Sequence, residues 1–198
     1  GCLQDVFSRV MSTVEPLARE KGLYITAEIE GPKDLRVLTD HIKLRQILLN
    51  ILNNAIKFTV QGGIHIRAQI ESQDAREYLV ASIADTGIGI ERDKLDSIFD
   101  PFTQADASSS RHYGGTGLGL YVCQKQVELM NGEIRLESEK GLGTVFHIRI
   151  PVGLSSESAS PDRHAQAEPL PSQGCDNLLA FNPVQVLLVE DNRVNRRI

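Results

Sequence analysis

Three runs of this chain alternate apolar and polar residues with a period of two: GIHIRAQIES (63–72), EYLVASIAD (77–85) and GTVFHIRIP (143–151). Successive side chains of a strand point to opposite faces, so each run buries one face of a sheet and gives the other to water. The charged SQDARE between the first two reads as a hairpin turn region; GEIRLES (132–138), with Lys140-Gly141 in its turn, makes a second hairpin with the third run. Between and before them the period changes to that of a helix. Leu3, Val6, Phe7, Val10, Met11, Val14, Leu17 and Ala18 recur at helical spacing over 3–21, with Pro16 inside the pattern expected to bend or restart it. Leu44, Ile47, Leu48, Ile51, Leu52, Ala55 and Ile56 do so over about 41–59, with Thr39 or Asp40 available as the cap. A short helix near 91–99 and a helix over 117–130, stopped by Asn131-Gly132, complete the set. LYITAEI (23–29) and LRVLTD (35–40) read as short strands. Helices interleaved with largely antiparallel strands predict an α/β two-layer sandwich, with helices on one face of a mixed, mainly antiparallel sheet.

The periodicity stops at Pro151. Residues 152–183 are rich in Ser, Ala and Pro and read as a flexible linker, so the expected domain is 1–151. Beyond the linker, VQVLLVEDNRVNRRI (184–198) is an apolar strand ending in Glu190-Asp191 and a helix start. Lys and Arg total 21 against 26 Asp and Glu, a net charge of −5 that offers no basic excess for nucleic acid or an anionic membrane. The three cysteines, Cys2, Cys123 and Cys175, lack metal-site or disulfide spacing and point to a reducing cytoplasmic setting. No apolar run approaches the roughly 20 residues of a membrane helix.

Three stretches carry chemistry. The helix RQILLNILNNAIKFT sets Asn50, Asn54 and Lys57 at i, i+4 and i+7, opposite its apolar stripe. Asparagine is a mediocre helix former, yet Asn50, Asn53 and Asn54 fall within five residues here. A carboxamide oxygen suits a hard cation such as Mg²⁺, and a lysine can meet a phosphate. In SIADTGIGI (82–90) a strand runs into Asp85, and Gly87 and Gly89 then let the backbone turn sharply. The carboxylate either caps that turn or accepts a hydrogen bond, such as one from an adenine amino group, at the floor of a pocket. In RHYGGTGLGLYVCQ (111–124) four glycines open a helix, an arrangement that favours a phosphate through converging N–H groups and the helix dipole. A P-loop needs G-K-[ST], which is missing, and a dinucleotide fingerprint needs G-x-G-x-x-G after a strand, where this is G-x-G-x-G after a serine-rich stretch.

In this order, RQILLNILNNAIKFT, DTGIGI, IFDPFTQ and GGTGLGL resemble the N box, first glycine box, phenylalanine box and second glycine box of sensor histidine kinases. The resemblance covers about residues 3–151 and implies the Bergerat fold of their catalytic, ATP-binding domain, shared with type II topoisomerases and mismatch-repair ATPases. It implies that Asn54 binds Mg²⁺ bridging the ATP phosphates with Asn50 assisting, and that Lys57 contacts phosphate. By the same resemblance Asp85 binds the adenine amino group in a pocket shaped by Gly87 and Gly89. Phe99 and Phe102 match the phenylalanine box, and 103–113 the ATP lid, with Arg111 reaching the γ-phosphate. Gly115, Thr116, Gly117, Leu118 and Gly119 would wrap the phosphates.

Hydrolytic and serine-phosphorylating relatives resemble one another in placing a glutamate four residues before the metal-binding asparagine, as a general base for a poor nucleophile. Asn50 occupies that position and cannot take a proton. A neutral imidazole already offers a lone pair, so the resemblance favours phosphoryl transfer to histidine in a two-component phosphorelay. None of His41, His65, His112, His147 or His164 matches the family's acceptor setting on a dimerising helical hairpin. The acceptor is thus expected on a separate module, of the same or a partner kinase, and this chain alone is expected not to autophosphorylate. Residues 184–198 resemble the first strand of a receiver domain, in which an acidic pair binds Mg²⁺. The implied parent is a hybrid sensor histidine kinase, in contact with a response regulator or regulatory kinase and open to anchoring in the inner membrane. Two alternatives stand beside this reading: an ATP hydrolase of the same fold, and a non-catalytic partner-binding module.

Overall fold

The computed structural model describes residues 1–32, 35–103 and 117–154. In chain order these form α1 (Leu3–Glu20), β1 (Tyr24–Ile29), β2 (Val37–Leu38), α2 (His41–Phe58), β3 (Gly63–Gln73), β4 (Arg76–Asp85), a 3-10 helix (Arg92–Ser97), α3 (Gly119–Leu129), β5 (Glu133–Glu139) and β6 (Gly143–Leu154). The expected receiver-domain start at 184–198 and all of the expected linker after Leu154 lie outside the described residues.

The sheet runs β1-β3-β4-β6, and the far edge of β6 is shared by β5, along Gly143–Arg149, and β2, at Gly153–Leu154. β3, β4, β5 and β6 are joined antiparallel, whereas β1 lies parallel to β3. That pairing needs a crossover between the two strands, and β2 and α2 supply it. The third alternating run, expected to end at Pro151, continues to Leu154 because Val37 and Leu38 give it partners there.

One face of the sheet carries Ile64, Ile66, Ala68, Leu79, Ala81, Ile83, Phe146, Ile148 and Ile150, all buried beneath the helices. The other presents His65, Arg67, Ser82, His147 and Arg149 to solvent, with Arg149 stacked 3.5 Å over the Tyr78 ring. All seven apolar residues of the α2 stripe are buried, each worth about 1.5–3 kcal/mol for the large side chains. The α2 amino terminus is capped by Asp40, whose carboxylate accepts from the backbone N–H of Ile42 (3.1 Å) and Lys43 (3.0 Å). Its carboxyl end is held by Lys21, whose ammonium donates to the carbonyls of Ile56 (2.8 Å) and Lys57 (3.0 Å). α1 continues as one helix through Pro16, so the expected restart does not occur. Pro16 and Ser12, whose carbonyl loses its donor, both lie on the exposed side, where water meets that carbonyl.

Candidate functional site

The site lies where α2 and α3 meet the ends of β4, β5 and β6. Asn50, Asn54 and Lys57 are all half-buried on α2, while Asn53 is exposed, so the face chosen by spacing is the one the fold partly encloses. The two helices run antiparallel. Gln126 Nε2 donates to Gln46 Oε1 at 2.8 Å; one turn back along α3, the Cys123 thiol donates to the Ile47 carbonyl at 3.8 Å and is itself hydrogen-bonded by the side chain of Asn50, one turn on from Gln46. Residue numbers rise along α2 as they fall along α3, so one more turn brings Asn54 level with Gly119 and Leu120 at the start of α3. Among the described residues no side chain caps that helix start, and its first N–H groups have no intrahelical acceptor. Burial pushes the Cys123 thiol up to about 11, which keeps it neutral and inert while it holds Asn50. Lys57 places its ammonium 4.8 Å from the centroid of the Phe58 ring.

Asp85 ends β4 in register with Thr144 of β6, which is in register with Ser138 of β5. This row falls on the helix-facing side of the sheet, next to the apolar row Ile83–Phe146–Leu136. The backbone N–H of Gly87 donates to Asp85 Oδ1 at 2.8 Å, and that of Thr144 donates to the same carboxylate. Burial nevertheless wins over these two bonds and raises the Asp85 pKa above the ordinary carboxylate value. A carboxylate so placed has acceptor capacity left over for a further donor.

The loop after Asp85 is fastened on every side. Thr86 N–H donates to the Gly63 carbonyl (3.1 Å), Ile88 N–H to the Phe58 carbonyl (3.2 Å), and Gly141 N–H to the Ile88 carbonyl (2.8 Å). Gly89 has φ +65°, and a Cβ there would overlap the Glu139 carbonyl oxygen, so no other residue fits without moving the strand. Gly143 presses equally closely on the Asp85 carbonyl.

Phe99 packs against the core, whereas Phe102 is 74% exposed with φ +66°. The Phe102 N–H donates to the Gly117 carbonyl at 3.1 Å, which joins the phenylalanine box to the second glycine box. Gly117, Leu118 and Gly119 are in place at the start of α3; Arg111, Gly115 and Thr116 lie outside the described residues. Thr144 and Ser138 escaped the sequence reading. Their signal was a break in parity: each occupies an apolar-side position of its strand, as Asp85 does.

Among the described residues, no three His, Cys, Asp or Glu side chains gather as a metal cage, and no helix is long and apolar enough to cross a membrane. The carboxamide oxygens of Asn50 and Asn54, together with ligand phosphates, are a donor set that would fit Mg²⁺.

Residues 39–154 match the family model described as histidine kinase-, DNA gyrase B- and HSP90-like ATPase. Over 193 residues, 98% of this chain, the sequence is 39% identical to the autoinducer 2 sensor kinase/phosphatase LuxQ of Vibrio cholerae, and spans 22% of that protein. It is 36% identical over 151 residues to the sensor histidine kinase RcsC of Escherichia coli, covering 75% of this chain and 15% of the relative. Among solved structures, full-length ShkA in complex with AMPPNP superposes on 78% of this chain with a TM-score of 0.67 and 32% identity, over 31% of its own length.

Proposed function

Because the chain belongs to the histidine kinase-, DNA gyrase B- and HSP90-like ATPase family, we propose that it binds Mg²⁺-ATP and donates the γ-phosphoryl group to a histidine on a separate helical-hairpin module, within a hybrid sensor kinase of the LuxQ and RcsC kind. The single observation that carries this is the antiparallel pairing of α2 with α3, which sets the start of α3 at the level of Asn54, one end of a site whose other end is the buried carboxylate of Asp85. In this reading a nucleotide lies between the two ends, with its base amino group donating to Asp85 and its phosphates at the helix start.

In this reading Asn54, with Asn50 beside it, presents oxygen to the cation, and Lys57 and the α3 N–H groups neutralise the phosphates. Held by these asparagines and the ligand, Mg²⁺ would supply neutralisation of phosphate charge. The acceptor imidazole nitrogen uses its lone pair to form the N–P bond, and the bond from the γ-phosphorus to the β–γ bridging oxygen breaks, its electron pair leaving with ADP. No protein base is needed to free this lone pair, in keeping with an asparagine at position 50, and the proton on the other ring nitrogen passes to solvent once the N–P bond has formed. Arg111, Gly115 and Thr116 are assigned to the γ-phosphate and phosphate loop by the family motif alone, and the assignment of residues 184–198 to a receiver domain rests on sequence likewise.

The test has two stages. Calorimetry with ATP and Mg²⁺ should give saturable binding that weakens on Asn54→Ala. Mixed with a hairpin carrying the acceptor histidine and labelled ATP, the chain should then yield acid-labile phosphohistidine. Steady phosphate release with no labelled histidine would instead assign it to hydrolysis, and no binding at all would leave a partner-binding module.

A further inference from the structure

We propose that Ser138 of β5 is a positioning residue for nucleobase recognition, its hydroxyl setting the depth of the loop that follows Asp85. The inference rests on the adenine-binding reading of Asp85 and extends it to a residue outside all four sequence motifs.

Ser138 Oγ accepts from the backbone N–H of Ile90 at 2.9 Å, across 48 residues of sequence. The same oxygen lies 2.8 Å from the Gly143 carbonyl and 2.9 Å from Thr144 Oγ1. A hydroxyl has one proton and two lone pairs. Donating to Gly143 while accepting from Ile90 and Thr144 satisfies all three neighbours at once and leaves the oxygen with no capacity to spare. The residue is therefore a three-way joint between β5, the first residues of β6 and the far end of the Asp85 loop.

Each arm of that joint leads to the carboxylate. Thr144 donates its own N–H to Asp85, and Gly143 is pressed against the Asp85 carbonyl, so the start of β6 sets where the carboxylate stands. Ile90 closes the loop whose Gly87 N–H orients Asp85 Oδ1. The tethers from Thr86 N–H and Ile88 N–H run from main chain to main chain. Two further tethers depend on a side chain: Thr86 Oγ1, which accepts from the Gly63 N–H (3.0 Å) and donates to the Gln61 carbonyl (3.0 Å) at the near end of the loop, and Ser138 Oγ at Ile90, which alone of these holds the far end.

Ser138 touches no ligand in this arrangement. Removing its hydroxyl strands the Ile90 N–H and frees the loop to lift towards water, which blurs the position of the group that reads the base while leaving the phosphate end on α2 and α3 untouched. A general weakening of the fold would lower the affinity of every nucleotide alike, so base discrimination separates the two effects.

The experiment compares the full chain with Ser138→Ala and Ser138→Thr, measuring ATP and GTP binding in Mg²⁺ alongside thermal unfolding. GTP shares the triphosphate and lacks the 6-amino donor. Ser138→Ala is expected to weaken ATP about 10-fold, as loss of one positioned hydrogen bond does, and to leave GTP within twofold, so that selectivity narrows by the same factor. Ser138→Thr, which keeps the hydroxyl, should restore ATP binding to within about threefold. Equal losses for both nucleotides, or undiminished ATP preference in Ser138→Ala, overturns the role of Ser138 while Asp85 keeps its own. A wild-type chain with no preference for ATP over GTP overturns the adenine reading, and this inference with it.

Discussion

Asp85→Asn should stabilise the ligand-free protein while disabling it. The wild-type carboxylate accepts from Gly87 and Thr144 yet is buried enough that its pKa is raised. For such a group the linkage has a definite sign: its contribution to folding is fully present below the unfolded-state value, near 3.8, and is lost as pH rises through the higher folded value. At neutral pH the fold therefore already carries an ionised carboxylate it would rather hold neutral. An asparagine keeps one acceptor for the Gly87 N–H and removes the charge, so the ligand-free midpoint at pH 7.5 should rise. Binding moves the other way. A charge-assisted hydrogen bond from a base amino group is worth about 1.5–3 kcal/mol, or about 10- to 150-fold in Kd, and the new amide NH₂ can turn a donor towards that donor. Thermal unfolding and ATP calorimetry at pH 7.5 and pH 5 measure both effects. Wild-type affinity should fall as acid protonates Asp85, while the variant shows no such fall. An Asp85→Asn protein that binds ATP like the wild type, or melts several degrees lower at pH 7.5, would refute the argument.

Gly89→Ala should cost at least about tenfold in ATP affinity, because a side chain at φ +65° is strained and its Cβ overlaps the Glu139 carbonyl; calorimetry would show it, and wild-type affinity would contradict it. Leu52→Ala removes a fully buried side chain from the α2 stripe and should lower unfolding free energy by about 2–5 kcal/mol in a denaturant titration. Glu91 pairs with Lys94 and Lys140, which pulls its pKa to about 2 from 4.5. Its contribution is present above the unfolded value and lost as pH falls from about 4.5 to 2, so the stability difference between wild type and Glu91→Gln should vanish over that window; being exposed, it should also vanish in molar salt.

The α2 helix was legible in full because burial and helical spacing agree residue by residue: the seven apolar positions are the buried ones, and Asn50, Asn54 and Lys57 share a half-buried face. The direction of β1 was not legible, since no side chain in YITAEI encodes whether its neighbour runs alongside or against it; that follows from the path of β2 and α2. The continuity of α1 through Pro16 depended on which side of the helix faces water, a fact about packing that spacing only suggests. Asp85 stood out through its glycines. Thr144 and Ser138 carried a signal of equal clarity, polar residues on the apolar parity of their strands, but one that acquires meaning only when the register sets all three in one row.

That shared row makes folding fidelity and ligand competence a single property. A slip of one residue in the pairing of β4 with β6 would turn Leu79, Ala81 and Ile83 out to solvent and carry Asp85 to the wrong side of the sheet in the same step. Such a slip cannot lose the core and keep Asp85 beside Thr144, or the reverse. On the proposed reading of Asp85, nucleotide binding therefore excludes every one-residue slip of this pair.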